Sequence, residues 1–263
     1  MRRILWAIIK KDIKSILSSW KVWFPMVVLP IMLVVIVPSL LFFQLSHQGT
    51  KDIKGMDEML RAIPVQYMLT TQLQKVAFVF SNYFFPTLFL FIPMLSSTII
   101  AANTFAGEKE RKTLETLLYA PVRLENLFFA KIIGVFVPAY FVTIISFVCS
   151  VLVNYYWLSH ILPDFPIPYF RWFIHMGILC PSLVILGITF SVWTSARAST
   201  SQEAQQLSGL VVLPVLGIFM AQGTGLFIME TGPMILIAGL IILLDIFLVL
   251  FVSRSFSYES LLK

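Results

Sequence analysis

The chain has 263 residues, 59% of them hydrophobic, and a mean hydropathy of +0.90. A water-soluble domain could not hide that much apolar surface, so the composition excludes a soluble enzyme and calls for an integral membrane protein. The formal charge of +6 would suit nucleic acid, but the lysines and arginines flank apolar runs, where they orient a membrane protein, and no nucleic-acid partner is expected.

Lipid offers no partners to backbone polar groups, so only helices or closed barrels cross it, and these apolar runs are continuous rather than alternating. The expected fold is therefore an all-α membrane protein, one transmembrane domain over 1–263. Residues 1–21 come first. Ile4, Leu5, Ile8, Ile9, Ile13, Ile16, Leu17 and Trp20 recur at helical spacing with lysines opposite, the pattern of an amphipathic helix lying at the membrane interface. It reads either as a topology anchor or as a lever joining the first span to a partner.

About 20 apolar residues cross the hydrocarbon core. Six stretches qualify: 22–43, 76–105, 128–157, 173–194, 207–228 and 233–252. The second and third exceed the need and are expected to tilt or to extend past the membrane. The first run is too long for the core of a cleavable signal and is expected to stay as an anchor. Between the spans, 44–75 mixes charges with Met56, Met59, Leu60 and Ile63 and could carry a surface helix, while Pro163, Pro166 and Pro168 make 158–169 an extended connection.

Only Lys51, Lys54, Arg61, Lys75 and Arg171 fall on the side opposite the N-terminus; every other Lys and Arg falls on the same side as it. That asymmetry predicts both termini in the cytosol and a cytosolic segment between the second and third spans.

Catalytic signatures are missing. There is no phosphate-binding P-loop, no zinc-binding His-Glu-x-x-His and no nucleophile elbow. His47, His160 and His175 are scattered, and Cys149 and Cys180 sit in apolar runs, where they read as small buried hydrophobes. No catalytic or metal-ligating residue is assigned, and no cofactor is expected in this chain.

The distinctive segment is the charged one, 106–122, opening a cytosolic loop at 106–127. Leu114, Leu117 and Leu118 lie at i, i+3 and i+4 and give a short helix one apolar edge, with Glu115 facing away and Pro121 ending it. Glu108 and Lys112 are four apart and can support the preceding turn. An apolar edge beside charges suits a groove on a partner protein; the plainer alternative is an ordinary interfacial loop helix.

This segment resembles the coupling loop of type-2 ATP-binding-cassette (ABC) exporter permeases. Gly107, Glu108, Glu110, Arg111, Thr113, Leu114, Glu115, Leu117, Leu118, Pro121 and Val122 stand at the places of that pattern, and Lys131 matches a later lysine. Lys112 departs from a common glycine and is expected to continue the helix; Ala130 departs from another. Residues 195–209, followed by Pro214, are similar to the corresponding loop of the sodium-efflux (NatB-like) branch and related drug-efflux permeases.

The resemblance implies a multi-pass protein of the cell membrane, in bacteria the inner membrane. It would work as two copies, identical or paralogous, with a separate cytosolic ATPase that holds ATP and magnesium. Glu108, Glu110, Arg111 and Glu115 would then make ionic contacts to the ATPase, and the leucines would fill its groove. The cargo stays open among a cation such as sodium, a drug, an antimicrobial peptide and a lipid. A haem-exporter-type permease and a peptide-sensing or immunity subunit without net transport remain alternatives.

Three polar positions inside spans are candidates for the transport pathway. Asp245 is an acid in the sixth span, costing roughly 2.5–3.5 kcal/mol on insertion scales, and reads as either an ion or proton site or a structural acid. Asn103 and Ser97, with Ser96 and Thr98, give the second span its most polar face. Gly187, Ser191 and Ser195 are spaced for close helix packing.

Overall fold

The computed structural model describes residues 2–48, 69, 71–112, 124–161, 169–224 and 231–255. Among these every regular element is a helix. α1 (Arg2–Ser18) is followed by a break at Ser19, whose backbone is extended. Then come α2 (20–48), α3 (Gln72–Glu110), α4 (Leu124–Ile161), α5 (169–195), α6 (Ser201–Gly223) and α7 (Thr231–Ser255). Six of these, α2 to α7, are long and apolar enough to cross a membrane.

The helix ends have local causes. Thr71 opens α3 with a capping box: its hydroxyl accepts from the Gln74 N–H, and the Gln74 side chain accepts from the Thr71 N–H. Thr200 caps α6 with its hydroxyl, which accepts from the Glu203 N–H at 3.1 Å, while the Glu203 carboxylate accepts from the Ser199 N–H.

Prolines shape the spans by a repeated device. π-helical turns occupy Ile31–Ile36, Phe80–Phe84 and His175–Leu179, and each closes with an N–H donating five residues back: Val37 to Met32, Phe85 to Phe80, Cys180 to His175. In all three the next residue is a proline, Pro38, Pro86 or Pro181. A proline ring crowds the carbonyl four residues before it and offers that carbonyl no hydrogen; one wider turn relieves both problems without ending the helix. The Met176 carbonyl lies within one such turn and accepts from the Tyr140 hydroxyl at 2.9 Å, tying α5 to α4.

α3 is the axis of the bundle. Leu90, Ile92 and Met94 pack with Leu179 and Leu183 of α5, Val34 of α2, Val215 of α6 and Met234 of α7. Further along, Ile100 and Phe105 pack with Phe128 and Val135 of α4, Val184 and Ile188 of α5 and Ile16 of α1. Lipid tails are as apolar as leucine, so helix association rests on closeness of fit. The α3–α5 seam shows it. A Cβ on Gly187 would collide with the Ser97 hydroxyl and lie 3.3 Å from the Met94 carbonyl, and the Ser191 hydroxyl donates to the Thr98 carbonyl at 3.4 Å. The small-residue stripe of α5 is thus the surface on which α3 rests.

α1 lies along the first turns of α4. Ile8 and Ile9 pack on Leu127 and Ala130, and Trp6, Leu17, Lys10 and Lys14 stay exposed.

Candidate functional site

The last turn of α3 places three consecutive charged side chains on three different parts of the bundle. Glu108 turns toward α1 and α4, Lys109 toward the end of α5, and Glu110 toward the start of α6.

The Glu108 carboxylate bridges two ammonium groups. Lys11 of α1 donates to it at 2.8 Å, and Lys131 of α4 donates to its other oxygen. Asp12 completes the cluster, 4.0 Å from the Lys131 ammonium and 3.7 Å from that of Lys11. The side chains of Asp12 and Lys131 are both only 2% exposed, so each charge depends on its partners for the solvation it has lost. The Phe105 ring adds a cation–π contact, its centroid 5.5 Å from the Lys131 ammonium. Burial pushes the Asp12 carboxyl above the ordinary aspartate value, and the nearby Lys131 charge opposes that only in part. Burial works against the Lys11 ammonium, but its hydrogen bond to Glu108 and the charges of Glu108 and Asp12 outweigh it and hold Lys11 above its ordinary value.

Two glycine-scale approaches make this end of the bundle possible. Gly134, one turn beyond Lys131, leaves room for the Asp12 side chain. Ala102 and Ala106 of α3 meet Ala198 and Ala204 across a seam of methyl groups, which brings the α5–α6 connection against α3.

Lys109 donates to the Ala196 and Ala198 carbonyls at 3.3 and 3.5 Å, a cation at a helix C-terminus. Glu110 accepts at 3.0 Å from both the N–H and the hydroxyl of Ser201, a carboxylate at the N-terminus of α6. Thr194 and Ser208 lock α5 to α6 with a buried hydroxyl pair at 2.7 Å.

α3 then stops. Arg111 has ψ near 0°, and Lys112 takes a φ of +56°, the left-handed region that favours glycine. The expectation that Lys112 continues the helix is therefore corrected. The position turns the chain, and a side chain there carries the cost of the turn.

A family model described as an ABC-2 family transporter protein matches residues 6–258. The chain belongs to the ABC-2 transporter family. No curated protein matches it. The family assignment accords with the six apolar spans and with the resemblance of the 106–122 segment.

In this ABC-2 family protein the charged segment is anchored by Glu108 and Glu110, which have partners within the chain, while Arg111 is exposed. Thr113, Leu114, Glu115, Leu117, Leu118 and Pro121 lie outside the described residues. Ser97 and Asn103 donate to carbonyls of their own helix, Met94 at 2.9 Å and Ile99 at 2.8 Å. Ser97 belongs to the α3–α5 seam. Asp245 is 5% exposed and lies on the buried stripe of α7 with Met234, Ala238 and Val252; among the described residues neither of its oxygens has a hydrogen-bond partner.

Sequence reasoning missed Asp12, Lys11, Lys109 and Lys131 as a group. A signal existed for two of them. Asp12 is the one acid in a basic helix and falls on its apolar side between Ile8, Ile9 and Ile16, and Lys131 stands inside the third apolar run.

Proposed function

We propose that this ABC-2 family chain is the membrane permease of an exporter, driven by a separate cytosolic ATPase and working as two copies around a shared pathway. The 106–122 segment is the docking element, and both termini lie on its side of the membrane. The ATPase holds ATP and magnesium and supplies the chemistry; this chain supplies the moving walls.

The observation that carries the reading is the fan of Glu108, Lys109 and Glu110. A push on the loop beyond Arg111 is delivered at once to α1 and α4 through Glu108, to α5 through Lys109 and to α6 through Glu110. Docking at a free-standing loop would move that loop alone. Here the loop is rooted in four other elements, and closure of the ATPase would shift them together. Arg111 and Glu115 then meet the ATPase, with Leu114, Leu117 and Leu118 filling its groove, while Glu108 and Glu110 transmit. Asp245, which is buried and has no hydrogen-bond partner among the described residues, is the pathway residue of choice for a cationic cargo.

Co-expression with a separate ABC ATPase subunit from the same source tests the proposal. The wild type is expected to co-purify with that subunit and to couple hydrolysis to substrate efflux. Leu117→Asp is expected to abolish both the complex and the efflux. Unchanged assembly and efflux in Leu117→Asp would remove the docking role.

A further inference from the structure

Between α1, α2 and α4 lies a cavity of about 510 Å³, within the roughly 300–1,000 Å³ range of small-molecule sites. Pro30 and Pro138 face it, and the π-turn that follows Pro30 contributes Ile31, Val34 and Val35 to its wall. Its lining is almost wholly apolar. Among the described residues, besides the Trp23 indole, polar side chains reach it only at Ser146, whose hydroxyl is spent on the Val142 carbonyl at 2.7 Å, and at Cys149. Such walls offer nothing to a charge and suit hydrocarbon.

Where the cavity meets α1, its chemistry changes. Ile13 and Leu17 line it. At 100° per residue, Ile13, Leu17, Lys10 and Lys14 fall within an arc of about 100° on one flank of α1. The other flank carries Lys11, which is committed to Glu108. Lys10 and Lys14 are exposed, and among the described residues neither makes an ion pair. Trp6 and Trp20, 67% exposed, and Trp23, 41% exposed, cluster at this end of the bundle, the placement of aromatic side chains at a membrane surface.

We infer that this cavity seats an anionic phospholipid, its acyl chain between α2 and α4 and its phosphate against Lys10 and Lys14. The apolar walls bury the chain, and the two lysines select the headgroup charge. An ordinary annular lipid would meet α1 and α2 without regard to charge. The site is independent of how the ATPase docks, so it stands or falls apart from the coupling role of the 106–122 segment.

Tryptophan quenching in reconstituted vesicles tests it, with phosphatidylglycerol or phosphatidylcholine brominated on the acyl chain as the probe. The signal read is the part of the quenching that Trp23→Phe removes. The expected result is stronger quenching by the glycerol lipid, with that preference falling by at least about fivefold for each lysine reversed in Lys10→Glu and Lys14→Glu. Both substitutions are on exposed positions and leave the core intact. Val142→Phe, which fills the cavity, is expected to remove the difference between the two lipids and leave the equal quenching of annular contact. Equal quenching by the two lipids in the wild type, or a preference that survives the double charge reversal, would overturn the inference. No Trp23-dependent quenching by either lipid would also overturn it and would assign the face to a second copy of the chain.

Discussion

Asp12 rests on the bare backbone of Gly134: a Cβ on that glycine would come within 3.2 Å of the Asp12 Cβ and 3.4 Å of its Oδ2. The contact sets the spacing between α1 and α4 and thereby keeps Lys131 within reach of both acids. Gly134→Ala is expected to be absorbed with a small shift of α1, and Gly134→Val to lift α1 from α4. A loss of about 1–3 kcal/mol is expected for Val, the range for overpacking a tight site. Thermal melting of the purified protein measures it, and accelerated proteolysis after Lys10 or Lys11 reports the lifted helix. Equal melting of wild type and Gly134→Val would dissociate α1 docking from this contact.

Lys131 stands between two carboxylates, and removing it should be worse than removing either acid. Lys131→Met leaves Asp12 and Glu108 facing each other in a nearly dry site with only Lys11 to offset them. A destabilisation of about 3–5 kcal/mol is expected, the usual result of breaking a buried pair from one side. Asp12→Asn in the same chain relieves the repulsion and should restore part of the loss. A double-mutant cycle on melting provides the check; additive effects would mean that the charges are not coupled.

Lys11 gives a pH dependence with a definite sign. Its folded-state value lies above the ordinary one of about 10.5, so the folded protein binds that proton more tightly than the unfolded chain does. The contribution is fully present below the unfolded value and is lost as pH rises through the higher folded value. Wild type and Lys11→Gln should therefore differ in melting temperature at pH 7 to 9, and the difference should shrink as pH rises past the ordinary value of about 10.5 and through the higher folded one. A difference that persists unchanged at high pH would locate the effect in packing of the lysine stem.

Much of this architecture was legible because lipid leaves few choices. Continuous apolar runs marked the six spans, and the spacing of Gly187, Ser191 and Ser195 marked a packing face that does meet α3. The prolines were visible too, but their outcome was not. Pro38, Pro86 and Pro181 each widen the turn ahead of them, whereas Pro138 sits in an uninterrupted α-helix, and which occurs depends on neighbours distant in sequence. The ionic cluster was hidden for the same reason. Lys11 and Glu108 are 97 positions apart, and the local pattern around Glu108 points to Lys112 or to a partner protein rather than to α1.

Lys112 carries a backbone cost that glycine would not. A non-glycine residue in the left-handed region costs roughly 1–2 kcal/mol, and glycine gives back about 0.5–1 kcal/mol in unfolded-chain entropy. Lys112→Gly should therefore be neutral or stabilising by up to about 1 kcal/mol, even though it deletes a charge and a good helix former. Lys112→Val, with a branched Cβ at the same φ, should lose about 1–2 kcal/mol or more. Melting of the two variants separates the explanations: if Gly destabilised and Val did not, the left-handed turn at this position would be wrong.

Asp245 poses the opposite question, a residue kept despite its cost. It occupies the place of an apolar side chain on the α7 stripe, yet both oxygens lack partners among the described residues. Asp245→Leu continues the stripe and removes the unsatisfied group, so it should raise stability by about 1–3 kcal/mol. A residue retained at that expense is expected to serve the pathway, and efflux by Asp245→Leu should fall while its melting temperature rises. Asp245→Asn keeps the shape and the hydrogen-bonding capacity but not the charge. Efflux lost in both variants assigns the role to the ionisable group, and efflux kept in Asn but lost in Leu assigns it to polarity alone. A variant that is more stable and transports normally would leave Asp245 without a part in transport.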